Sequence, residues 1–146
     1  MAQKSNIQEI IAPYGAFITY VPLRTEVPFR DYISIPESHI IYDIAPRASL
    51  DPNEEAQKAV AAIGNVPAAI LIPGRSFDAS GTRHGQGGGW YDRLLALVPR
   101  EWLRIGFCYE RQFSTSPLTR ESWDQEMDVV CVVTADGLDV YQPSAV

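Results

Sequence analysis

The chemistry-bearing residues of this chain concentrate in one stretch, PGRSFDASGTRHGQGGGWYDR, from Pro73 to Arg93. Between Pro73 and Gly89 lie Gly74, Gly81, Gly85, Gly87, Gly88 and Gly89, six of the chain's ten glycines. The run Gly85-Gln86-Gly87-Gly88-Gly89 lets backbone N–H groups converge with almost no side chain in the way. A helix starting near Trp90 adds its positive end and its unsatisfied N–H groups, so an anion is favoured there. Arg83 can supply a forked, charge-assisted contact to phosphate. Asp92, in the first helical turn, could hold a hard cation riding on that phosphate. Together these residues would cradle a polyphosphate and magnesium. The same glycines also suit a plain surface turn, and neither G-x-x-x-x-G-K-[ST] nor G-x-G-x-x-G with a following acidic residue is present.

The elements that must position this loop are read from periodicity. Ala68 to Ile72 (AAILI) is a continuous apolar run, the mark of a central strand covered on both faces. Trp90 to Val98 (WYDRLLALV) is helical and stopped by Pro99, and Leu103 to Cys108 (LRIGFC) is a second buried strand. Strand, glycine loop, helix, strand is a βαβ unit. Upstream, Asp51 to Ile63 is the clearest helix: Asp51 caps it, Pro52 suits the first position, and Glu54 has capping-box spacing. Ala56, Ala59, Val60 and Ile63 would line its buried face, and Gly64 ends it. Ser5 to Ala12 is a short helix candidate; Gly15 to Val21, His39 to Ile44 and Val129 to Thr134 read as strands. Asp136-Gly137 turns into a last strand, Leu138 to Tyr141. Leu23 to Ile33 stays ambiguous, because Pro28 argues against a continuous helix. The expected fold is a single α/β domain over residues 1–146, a mostly parallel sheet flanked by helices.

Composition narrows the function classes. The chain has 146 residues, 46% of them hydrophobic, with 12 basic and 18 acidic side chains and a net charge of −6. An acidic chain lacks the basic face that nucleic acid demands. No apolar stretch reaches the length of a membrane span, and the first residues lack the pattern of a secretory signal. A cytoplasmic protein with no nucleic-acid or membrane partner is expected. Cys108 and Cys131, each inside an apolar run, read as reduced, buried and structural.

The loop and the two segments downstream of it resemble a known family. PGRSFDASGTRHGQGGGWYDRLL, then RIGFCYERQ, then SWDQEMDVV, are similar to the carboxyl-terminal half of 5-formyltetrahydrofolate cyclo-ligase. That family reads P-G-x-x-F-D-x-x-G-x-R-L-G-x-G-x-G-Y-Y-D-R, then G-x-x-F/Y-x-x-Q, then D-x-x-x-D before a last strand. The resemblance runs from about Ile70 to Thr134, with His84 in place of the usual Leu. Upstream, Tyr20 to Val27 echoes the family's Y-x-P-x-x-x-E-V, with Pro28 following where the family offers a polar group.

The resemblance implies a coenzyme-A-transferase-like fold. It also implies an ATP- and magnesium-dependent closure of 5-formyltetrahydrofolate to 5,10-methenyltetrahydrofolate with release of ADP and phosphate. Under it, Arg83 and Tyr91 would be catalytic. ATP would be held by Arg83, Gly85, Gln86, Gly87, Gly88, Gly89, Trp90, Tyr91 and Asp92. Glu26 and Trp90 would contact the folate, and Asp92 and Asp124 would hold magnesium. The alternative is a non-catalytic nucleotide- or phosphate-binding protein of this type, completed by a dimer mate or partner subunit. For Asp124 with Asp128, two solvated carboxylates remain an equal reading; for Glu26, a surface pairing with Arg24 and Arg30 does. His39, Trp102, Tyr109 and Phe113 read as packing residues.

Overall fold

The computed structural model describes residues 6–45, 50–85 and 89–143. Asn6 caps a short helix, α1 (Ile7–Ile11), by accepting from the Gln8 N–H. There follow β1 (Ala16–Tyr20), β2 (Ile40–Ile44), α2 (Pro52–Ile63), β3 (Ala68–Pro73), β4 (Ser76–Asp78), β5 (Arg83–His84), α3 (Trp90–Leu97), β6 (Leu103–Tyr109), β7 (Phe113–Ser114), β8 (Val129–Thr134) and β9 (Gly137–Tyr141). Six strands form one sheet in the order β2-β1-β3-β6-β8-β9. All neighbours pair in parallel except β8 with β9, which the turn at Asp136-Gly137 folds back antiparallel. The expected mixed α/β fold with a mostly parallel sheet is what the chain adopts.

Alternation along the strands explains why β3 reads as one apolar run. Ala68, Ile70 and Ile72 face α2 and α3, while Ala69 and Leu71 face α1, Phe29 and Ile33 on the opposite side. Asp51 caps α2 through the Asn53 N–H, and Gly64 closes it at a positive φ of 63°. The buried stripe of α2 differs from the one expected. It is Pro52, Glu55, Ala56, Ala59 and Ile63, whereas Val60 is 37% exposed. Glu55 tolerates burial because the Tyr42 hydroxyl donates to it at 3.0 Å.

The described part of the loop, Pro73 to Gly85, is more structured than its composition implies. It contributes β4 and β5 to a small second sheet, ordered β5-β4-β7. Phe77 of β4, fully buried, lies where a side chain on Gly106 would collide with its ring. Gly106 therefore lets β4 close down on the main sheet. Asp78 accepts from the Ser80 N–H and hydroxyl, the Thr82 N–H and the Leu118 N–H at 2.8 to 3.0 Å. The Phe-Asp pair of the motif is thus structural: one side chain seats the loop and the other ties it shut.

Candidate active site

The candidate residues gather at the carboxyl ends of the parallel strands, where open α/β sheets bind ligands. Arg83, buried in β5, donates from Nε to the carbonyl of Pro73, the last residue of β3, at 2.8 Å. Its guanidinium carbon lies 5.2 Å above the centre of the Tyr91 ring. On its other side stands Gly85, where a Cβ would come within 3.0 Å of Arg83 Nη2. Glycine at 85 leaves the space the guanidinium fills, and Tyr91 offers a face that attracts cations. Nearby, the Gln112 side chain accepts from the Tyr109 N–H at 2.9 Å and donates to the Gly74 carbonyl at 3.4 Å. It joins the exits of β6 and β3.

Tyr91 carries the site across to β1 and β2. It lines a small cavity with Tyr20, Val21, Leu23, Glu26, Ile44 and Ala45, of about 10 Å³, the space of one water. Glu26 is 8% exposed, and its Oε1 accepts from the Leu23 N–H at 2.9 Å. Glu26 is therefore a buried carboxylate tied to its own turn. The Tyr20 hydroxyl donates to the Val27 carbonyl at 2.7 Å. Burial foremost, then the Glu26 charge, pushes that phenol far above its ordinary pKa, so it stays protonated.

Trp90 points elsewhere. Its indole N–H donates to the Leu50 carbonyl at 3.0 Å, its ring meets Tyr91 edge-on at 5.0 Å, and it is 8% exposed. It supports Tyr91 from within the packing of α2 and α3. Gly89 occupies the cap position of α3 with φ 64° and ψ 31°. The candidate residues Gln86, Gly87 and Gly88 lie outside the described residues.

The two candidate metal ligands come to one end of α3. Asp92 Oδ1 accepts from the Gln125 N–H at 3.1 Å, so the residue after Asp124 docks on the first helical turn. Asp124 Oδ2 accepts from the Glu121 N–H at 2.8 Å and closes a turn that carries Trp123. Among the described residues no group of three His, Cys, Asp or Glu side chains is placed to hold a metal by itself. Two carboxylates suit magnesium that takes its other ligands from phosphates and water. Asp128 is engaged in a different way, gripping Arg100 through both oxygens at 3.0 and 3.2 Å and accepting from the Arg104 N–H.

Other features resolve as packing. Cys108 and Cys131 are buried and unpaired, and burial pushes Cys108 up to about 12 and Cys131 higher still. His39 stacks on Phe17, Trp102 is buried, and His84 Nε2 sits 2.6 Å from the Thr119 carbonyl. No helix among the described residues is long and apolar enough to cross a membrane. Trp123, Arg104 and Gln125, which bear on the site, carry no motif of their own; the one signal was an aromatic beside Asp124.

Parallel strands that end at a shared edge bearing a buried cation, carboxylates and an aromatic define a small-molecule-binding α/β domain. The chain belongs to the 5-formyltetrahydrofolate cyclo-ligase family, a family of ligases, whose model matches residues 39–133. A 5-formyltetrahydrofolate cyclo-ligase from Mycoplasma genitalium is 34% identical over 61 residues, 42% of this chain and 36% of that protein. One from Mycoplasma pneumoniae is 25% identical over 154 residues, covering 88% of this chain and 85% of that protein. Two solved structures share the fold. The 5,10-methenyltetrahydrofolate synthetase of Aquifex aeolicus has a TM-score of 0.59 at 20% identity, covering 97% of this chain and 79% of that one. That of Mycoplasma pneumoniae has a TM-score of 0.53 at 21% identity, covering 84% and 79%.

Proposed function

We propose that this chain closes 5-formyltetrahydrofolate to 5,10-methenyltetrahydrofolate, using ATP and magnesium and releasing ADP and phosphate. The observation that carries the proposal is Arg83 seated over Tyr91, whose ring also walls the Glu26 cavity. A phosphate-binding cation and a folate-binding carboxylate are thereby separated by one aromatic ring. ATP supplies the phosphoryl group that converts the formyl oxygen into a leaving group, and magnesium neutralises the charge on its phosphates. Arg83 stabilises the negative charge that builds on the transferred group, from a position fixed in advance by Pro73 and Tyr91. Asp92 and Asp124 hold the metal. Glu26 accepts hydrogen bonds from the folate ring, and Tyr91 keeps water from the reacting carbon. Gly85 and Gly89 lie against the phosphates, and Trp90 acts through Tyr91, which it supports.

Absorbance of the methenyl product, followed with ATP and magnesium, tests the reading: wild type turns over, and Glu26→Gln raises the KM for the folate. A second reading, nucleotide binding without turnover, is favoured by the small volume beside Glu26, which takes a water but no folate ring as it stands. That reading predicts thermal stabilisation by ATP with no absorbance change.

A further inference from the structure

Trp123 is 64% exposed, whereas Trp90 and Trp102 are buried. It forms one wall of a cavity of about 560 Å³, whose other lining residues are Gly89, Asp92, Arg93, Ala96 and Gln125. That volume is within the usual range for small-molecule sites. The cavity opens at the first turn of α3 and runs along the helix to Ala96, one turn beyond Asp92. Trp123 is also held in place. The Asp124 carboxylate closes the turn that presents it, through the Glu121 N–H at 2.8 Å. Gln125 is fixed twice, by its N–H on Asp92 at 3.1 Å and by its side-chain oxygen, which accepts from the buried Arg104 at 2.7 Å. A flat apolar ring, presented to solvent on a fixed backbone and lining one cavity with a carboxylate, has the form of a stacking platform.

We propose that Trp123 stacks against the purine base of the nucleotide whose phosphates lie at Arg83 and Asp92. The proposal rests on the nucleotide reading above and adds the residue that recognises the base. The geometry is consistent in direction: phosphates at the start of α3, the sugar beside Arg93, and the base further along the helix between Ala96 and the indole. Stacking on an indole is tolerant of base identity, so adenine and guanine nucleotides would both bind, and pyrimidine nucleotides more weakly.

Tryptophan fluorescence of the full chain tests this. Exposed Trp123 should dominate the red side of the emission. ATP and ADP should quench that component, tripolyphosphate should not, and Trp123→Phe should remove the quenched component. Trp123→Ala should raise the KM for ATP about tenfold while leaving the KM for the folate, and Trp123→Phe should recover most of the loss. Equal quenching by tripolyphosphate, quenching by the folate alone, or an unchanged KM for ATP in Trp123→Ala would each overturn the assignment. A thermal shift with ATP but no quenching defeats this inference and leaves the nucleotide reading standing. No thermal shift at all defeats both.

Discussion

The buried guanidinium of Arg104 donates from Nη1 to the side-chain oxygen of Gln125 at 2.7 Å, across the space between β6 and the segment that precedes β8. Its Nη2 donates to the Leu95 carbonyl at 3.0 Å, and its Nε is buried without a partner among the described residues. Arg104 therefore links the middle of the sheet, the end of α3 and the stretch of chain that carries Asp124. Burial, together with the like charge of Arg100, lowers its pKa from a very high starting value. It remains a cation at neutral pH.

Replacing that arginine by methionine fills much of the same volume but abandons two acceptors. Arg104→Met should lower stability by about 2–4 kcal/mol, read from the urea midpoint, because Gln125 and Leu95 lose their donor in a buried place. It should also weaken magnesium-dependent ATP binding, since Gln125, the residue after Asp124, docks on Asp92. A variant with normal metal dependence would separate the two functions of Arg104.

Arg83 offers a sharper test of the cradle. Arg83→Ala should abolish the thermal stabilisation that ATP gives, and Arg83→Lys should fail to restore it. Lysine keeps the charge but loses the planar face that lies on Tyr91 and the fork that matches phosphate. Full restoration by lysine would mean that charge alone matters there.

The close approach of Gly106 and Phe77 predicts a double-mutant effect. Gly106→Ala should destabilise by about 1–3 kcal/mol through overpacking. Adding Phe77→Leu should recover part of the loss, giving a non-additive cycle. Additive losses would show that the two do not share that space.

Asp78 makes stability depend on acid pH. Burial opposes its ionisation, but the Leu118, Ser80 and Thr82 donors outweigh it and hold the carboxylate below its ordinary value. The native state thus takes up this proton less readily than the unfolded chain. The stabilisation is complete above the unfolded value, near 3.8, and is lost as pH falls from there through the native one. Asp78→Asn should cost about 1–3 kcal/mol at neutral pH and flatten the acid limb of the stability curve. An unchanged acid limb would assign it to other carboxylates.

Cys108 and Cys131 predict the reverse sense of reactivity. Burial keeps both thiols protonated well above neutral pH, and only the thiolate is reactive. Alkylation under native conditions should be slow and should match the rate of unfolding. Fast labelling at neutral pH would place one of them at the surface.

The main frame was legible because its signals are local. Continuous apolar runs marked β3 and β8, and Asp51-Pro52 with Gly64 bounded α2 closely. The second sheet was hidden because β5 and β7 are two residues each, below the length at which alternation can be seen. Val60 lies off the buried stripe because that stripe takes in Glu55, whose burial depends on Tyr42, thirteen residues upstream. In the site, Arg83 and Tyr91 could be named from the motif, but their contact could not. It arises from β5 folding back antiparallel on β4, which aims Arg83 at the start of α3. Trp123 gives only the weak signal of an aromatic beside Asp124, because an aromatic in a turn looks like packing until its exposure is known.

The most direct measurement records phosphate release and methenyl-folate absorbance in one reaction containing the protein, ATP, magnesium and 5-formyltetrahydrofolate. Both signals should rise together, one phosphate for each ring closed, and omitting either substrate should silence both. Bound ATP with a flat trace in both channels, from folded protein, would contradict ring closure by this chain.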